Sequence, residues 1–453
     1  MSTEKIARFI CQTAYEQIPN QAVELAKRCI LDCLGCALAG GEEPGSKIIV
    51  ECVKEEGGKE EAGVIGAGFK APAHQAAWAN GAMAHALDYD DADMSITSHP
   101  TSVLLPVVLA LGEKLHLSGR EALVAYLVGF EIEAKVGLAC GIHHYELGWH
   151  NTATLGSIAA AAASAKLMKL SEEETRMALG IAASLAGGLR QNFGTMTKPL
   201  HAGNAARNGV VSGLLAKKGF SADKNILEAP FGFGKVLGGG ADFDEEKMSQ
   251  GLGSPFQIVS PGIDLKPYPS CRCTHWAIDA ALDLRENYHI TPTDIAEIEC
   301  RTSSMVPKIC IHSRPRNALE GKFSIEFCIA VALLDGEASL RQFTDERVAD
   351  SKVQQLIPKT KYVHPPEFEE KVDTGEIVIK LQNGEIYSKK VDAAKGSPQN
   401  RLSWDELCRK YRDCAHEILP AKDTEHCLEL VSNLESLENV TKLMDILTFA
   451  KDI

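Results

Sequence analysis

The sequence predicts a mainly α protein: a large all-α helical domain plus a smaller α+β domain. Three observations carry that expectation. Residues 1–262 are rich in Ala, Leu and Gly, with apolar residues at helical spacing almost throughout. After "SPGIDLKPYPSCRC" the pattern changes, and residues 263–397 mix period-two alternation with short helical runs. From 398 to 453 the chain reads as helical again, and this stretch is expected to pack back on the first domain.

The elements follow in order. "MSTEKIARFICQTAYEQI" carries acidic residues in its first turns and no small-residue cleavage site, so it reads as a helix and not a signal peptide. "NQAVELAKRCILDCLGCALAGG" places Cys29, Cys33 and Cys36 at the Cys-x3-Cys-x2-Cys spacing of an iron–sulfur site. Yet Ala22, Leu25, Ala26 and the three cysteines recur every three or four residues, as on a helix from Asn20 to Gly40–Gly41. Thiols strung along about 10 Å of helical rise cannot close on one compact cluster. They are expected in the core, where free cysteine behaves as a small apolar residue. "NTATLGSIAAAAASAKLMKL" is small nearly all round, as in a helix buried within a bundle. Ser171 and Glu174 then form a capping-box start for the next helix. In the second domain "DIAEIECRTS" alternates like a strand, and "GEIVIKLQNGEIYSKKV" is a hairpin about Asn383–Gly384. "FSIEFCIAVALLDG" and "DERVADSKVQQLI" are helical between them.

Composition narrows the functions. With 47 basic against 61 acidic residues the net charge is −14, which disfavours nucleic acid and anionic membrane surfaces as partners. An anionic substrate would need a local cluster of Lys and Arg. Fourteen scattered cysteines suggest reduced thiols and a cytoplasmic location.

Four stretches concentrate chemistry. "AHALDYDDADMSITSHPTSVLLP" places Asp88, Asp90, Asp91, Asp93 and His99 in a loop between helices, as a histidine oriented by carboxylates or as a solvated acidic loop. It lacks the Gly and terminal Glu of a calcium hand. "GIHHYELGWHNTATLGS" holds His143, His144 and His150 at spacings that match no zinc motif, and His150 heads the buried Ala helix. "RQNFGTMTKPLHAGNAARNG" offers Lys198, whose following Pro places it at a break between helices, and His201. "DLKPYPSCRCTH" sets Lys266, Arg272 and His275 around two prolines, a cationic hinge suited to carboxylates. No Gly-rich phosphate loop follows a strand, and no Gly-x-Ser-x-Gly elbow is present. Bases and cations without a cofactor motif point to abstraction of a proton α to a carboxylate.

"ALDYDD…SHPTSVLLPVVLALGE", "GWHNTATLGS", "GTMTKPLHAGNAARNG" and "KPYPSCRCTHWAIDAA" resemble the MmgE/PrpD family nearly end to end. That family includes 2-methylcitrate dehydratase, cis-aconitate decarboxylase and iminodisuccinate epimerase. The resemblance implies a homodimer whose smaller domain forms a lid, with the active site in the cleft between domains and no metal or cofactor. By motif, Asp88, His99, His150, Lys198 and Lys266 match family active-site positions. Two departures stand out: Phe327 replaces a Tyr that some members carry, and Cys271 a His. Both weigh against decarboxylation. The expectation is a lyase removing water from a small di- or tricarboxylate such as 2-methylcitrate. His99 and His150 would be its acid–base pair, Asp88 would orient a histidine, and Lys198, Lys266 and Arg272 would anchor carboxylates. The alternative is an epimerase of an amino- or imino-dicarboxylate.

Overall fold

The computed structural model describes residues 1–449 apart from Gly239, Ala241, Asp242, Glu370 and Glu417. Gly239 belongs to the Gly-rich run "GFGKVLGGG", so part of that run lies outside the described residues. The chain divides into two compact units, Met1–Asp264 with Ser403–Ile453, and Leu265–Leu402.

Among its described residues the first unit is helical, with a two-residue antiparallel ladder, β1 (Ala62–Gly63) with β2 (Lys70–Ala71). Its long helices are α1 (Ser2–Gln12), α2 (Asn20–Gly40), α3 (Pro44–Glu56), α4 (Ala73–His85), α5 (Pro100–Leu115), α6 (Gly119–Glu146), α7 (Asn151–Leu167), α8 (Glu172–Leu185) and α9 (Thr197–Lys217), with a short α10 (Phe233–Leu237). α2 runs over the span its periodicity predicts and buries Cys29, Cys33 and Cys36. Ser171 caps α8 through the Glu174 amide while Glu174 returns to Ser171 N, as the capping box requires. The Ala-rich α7 is buried over nearly its whole length, packed by α5, α6, α8 and α9.

Small residues let these helices approach. A Cβ on Gly203 of α9 would overlap the Trp78 carbonyl of α4, and one on Gly209 would overlap Ala160 of α7. Gly203→Ala therefore lowers unfolding free energy by about 1–3 kcal/mol, the usual range for overpacking. A lower urea midpoint at unchanged slope would show it. The helix Trp404–Ala415 packs on α2, where Lys410 Nζ meets Asp32 Oδ1 at 2.7 Å, both buried.

The second unit is α+β. Its sheet has the order β4 (Thr360–Val363), β3 (Ile295–Arg301), β5 (Gly375–Leu381), β6 (Ile386–Val391). β4 runs parallel to β3, and the other pairs are antiparallel. Gly384, at φ +92°, makes the β5–β6 turn the Asn-Gly pair predicts. Register places Ile298 opposite Ile379 and Cys300 opposite Ile377, all four fully buried. α11 (His275–Tyr288) and the helix Ile325–Asp335 share that core. The expected helix over "DERVADSKVQQLI" is two short ones, Asp345–Ala349 and Ser351–Leu356, broken at extended Asp350. β4 had no signal, being four residues of alternating partial exposure.

Among the described residues no helix is long and apolar enough to cross a membrane.

Candidate active site

His85 is the last residue of α4, and His99 is the N-cap of α5, followed by Pro100 at its first position. Between them the acidic loop folds onto itself instead of meeting solvent. Asp88 sits in the left-handed region at φ +52°, a conformation that Asp tolerates. Asp93 N and Ser98 N both bond across the loop to Ser98 O and Asp93 O, at 2.8 and 3.1 Å. The Asp93 carboxylate accepts from Ser95 N at 2.9 Å and Ser95 Oγ at 2.6 Å. Asp91 accepts from the amide and hydroxyl of Thr101, whose oxygen also meets Tyr126 OH at 2.6 Å. Lys410 donates to Tyr89 O at 2.7 Å and lies 3.6 Å from that ring's centre. The helix Trp404–Ala415 thus braces the loop through one buried ammonium.

Burial pushes the Asp91 carboxyl up to about 8, against the opposing bonds from Thr101, and Asp93 up to about 6. Glu133 of α6, which accepts from Ser98 Oγ, is pushed up to about 8, again by burial. A carboxyl raised in the folded state stabilises the fold below its unfolded value, and that stability is lost as pH rises through the folded value. Glu133→Gln keeps an acceptor for Ser98 and removes one such proton. Its melting temperature should fall less than that of the unaltered chain between about pH 7 and 8.5, above the range of unperturbed histidines.

Four imidazoles meet beside this loop. The His85 ring centre lies 4.6 Å from His99 and 5.8 Å from His150, and His150 lies 5.2 Å from His201. His85 Nδ1 is 2.9 Å from both Asp90 oxygens. His99 Nδ1 donates to Asp91 O at 2.7 Å, and its Nε2 lies 3.7 Å from Asp88 Oδ1. His150 Nδ1 and His201 Nδ1 share a hydrogen bond at 3.0 Å, so one ring donates and the other accepts. Burial, with the nearby Lys198 charge, holds His150 well below the usual histidine value. His201 is lowered to about 4, mainly by burial, and His85 is lowered by burial against the pull of Asp90. Three neutral imidazoles at neutral pH are competent proton acceptors.

Lys198, in the first turn of α9, places Nζ 2.9 Å from Asp88 Oδ1 and 5.3 Å from the Phe193 ring centre. Asp88, His99, His150 and Lys198 are thus brought together in the first unit. Lys266 and Arg272 belong to the second unit. Both are buried, and Arg272 Nη2 donates to Ala394 O at 3.4 Å. Cys271 there is half-buried, and Phe327 is fully buried against Phe343, ring centres 5.5 Å apart, so Phe327 serves the core. His144 bonds Leu237 O and Thr154 Oγ1 at 2.8 and 2.7 Å, as a core histidine. Sequence reasoning passed over His85, and gave Asp90 and His201 no individual role. The spacing His85-x2-Asp88-x-Asp90 at a helix end was the available signal for the first two.

One donor set would suit a cation: His85, Asp88, Asp90 and His99, whose ligand atoms all lie within 4.8 Å of one another.

Comparison with known proteins identifies the family. Residues 4–246 match the MmgE/PrpD N-terminal domain, and residues 268–436 the MmgE/PrpD C-terminal domain. The chain is 30% identical to the cis-aconitate decarboxylase of Mus musculus, over 98% of this chain and 93% of that protein. It is 30% identical to that of Aspergillus terreus (strain NIH 2624 / FGSC A1156), over 98% and 95%. It is 27% identical to the 2-methylcitrate dehydratase of Escherichia coli (strain K12), over 78% and 76%. The likeness spans both compact units, and the chain belongs to the MmgE/PrpD family.

Proposed function

We propose that this chain is a cofactor-independent lyase acting on a small polycarboxylate, by removal of a proton next to a carboxylate and loss of water. The observation that carries the reading is the cluster of His85, His99, His150 and His201 with Lys198 over buried carboxylates. His150, neutral and buried, takes the proton from carbon. Charge that then develops on the adjacent carboxylate is stabilised by Lys198. His99, the most exposed of these imidazoles, returns a proton to the departing hydroxyl, and Asp88 orients it. Lys266 and Arg272 keep the carboxylate-anchoring role that their chemistry suggests. The enzyme acts in the cytoplasm as a homodimer, the state the family resemblance implies.

Decarboxylation is the second reading, favoured by the nearly full-length likeness to cis-aconitate decarboxylases. Both reactions are lyase chemistry on the same class of acid. Incubation with 2-methylcitrate, cis-aconitate and an imino-dicarboxylate in deuterated water separates them. A new ultraviolet band of a conjugated alkene from 2-methylcitrate supports dehydration. Carbon dioxide release from cis-aconitate supports the second reading. Deuterium uptake with inversion, and neither of those products, overturns both in favour of epimerisation.

A further inference from the structure

We propose that His85, Asp88, Asp90 and His99 bind a divalent transition-metal ion of the zinc and cobalt class, in competition with the Lys198 ammonium for Asp88. Two imidazoles and two carboxylates form the donor set, three of the four residues being buried and His99 partly so. Nitrogen and oxygen ligands at about 2.0–2.2 Å from such an ion stand about 3.4 Å apart in a tetrahedron. The existing separations bracket that value: 2.9 Å for His85 Nδ1 to Asp90, and 3.7 Å for His99 Nε2 to Asp88. The widest, at most 4.8 Å, closes by a contraction of about 1–1.5 Å.

A further feature points to an ion. His99 is oriented by donation from Nδ1 to the Asp91 carbonyl, the outer-shell bond that metal-ligating histidines commonly make. Imidazole nitrogens favour zinc, cobalt or nickel over magnesium and calcium.

Lys198 Nζ lies 2.9 Å from Asp88 Oδ1, so an arriving dication meets an ammonium already on one of its ligands. Ion and ammonium repel, and metal occupancy should displace Lys198. If the proposed lyase reading is right, the ion is therefore an inhibitor that excludes substrate.

The test uses the full chain, stripped with a chelator and titrated with Co²⁺, read by equilibrium dialysis and visible absorption. One Co²⁺ per chain is expected, with the d–d bands of nitrogen and oxygen ligands and no thiolate-to-cobalt charge-transfer band. Excess Mg²⁺ should not displace it. Asp90→Asn and His85→Gln should each weaken binding by about tenfold or more. Lys198→Ala should tighten it by about tenfold, because a like charge is removed. That gain cannot arise from misfolding, which guards against the buried variants failing to fold. Absence of stoichiometric uptake, a thiolate band, unchanged affinity in Asp90→Asn, or unchanged or weaker affinity in Lys198→Ala overturns the proposal. Binding is read without turnover, so failure of the lyase reading alone leaves this result intact.

Discussion

Replacing His150 with Asn should lower kcat by about 10²–10⁴-fold on the true polycarboxylate, the contribution of one positioned acid or base. His150 is the N-cap of α7 and only 2% exposed, so the loss has to be separated from damage to the fold. Asn is a good N-cap and keeps a donor near His201. It cannot carry a proton from carbon. The expected pattern is a collapsed kcat, a KM changed little, and a melting temperature within a few degrees of the parent. His201→Asn should cost less, since His201 acts through His150 across the 3.0 Å bond. It should also displace the acidic limb of the rate profile, which a purely structural role would leave in place. Full turnover by His150→Asn would end the assignment of His150 as the base.

Lys198→Met carries the second large effect, on binding and on stability together. Its ammonium sits 2.9 Å from Asp88 Oδ1, with both side chains about 5% exposed. Removing one member of a buried pair strands the other charge, and breaking such pairs costs about 3–5 kcal/mol. Asp88 has other interactions within the loop, so the lower end of that range is expected. The double variant Asp88→Asn/Lys198→Met should recover most of the lost stability, since no charge is then left behind. Activity should not return with it, because a substrate carboxylate has lost its cation. Recovery of turnover in the double variant would show that Lys198 serves the fold alone.

The N-terminal part of the site was partly legible because its chemistry is local. His99 before Pro100, His150 at the head of an Ala-rich helix and Lys198 before Pro199 stand at helix starts that capping and proline rules locate. His85 was harder to see. It lies inside a helical pattern, where a histidine on an apolar face reads as core, and only the fold of the loop brings Asp90 back to its ring. His201 likewise gains meaning only when α9 crosses α7 close enough for two Nδ1 atoms to share a proton. Lys410 lies in a stretch that the sequence marks only as helical, yet it braces Tyr89 from more than 300 positions away.

What the sequence alone determined is the set of local elements: the α2 span with its three buried thiols, the Ser171 cap, the Asn383–Gly384 hairpin and the all-α and α+β stretches. Each depends on periodicity or turn chemistry within about 20 residues. Only the tertiary structure decided which polar groups leave water together. Asp91, Glu133 and His150 have ordinary proton affinities in an extended chain, and burial is the main thing that moves them. Desolvation is a property of the packed surroundings, so no reading of neighbours along the chain contains it.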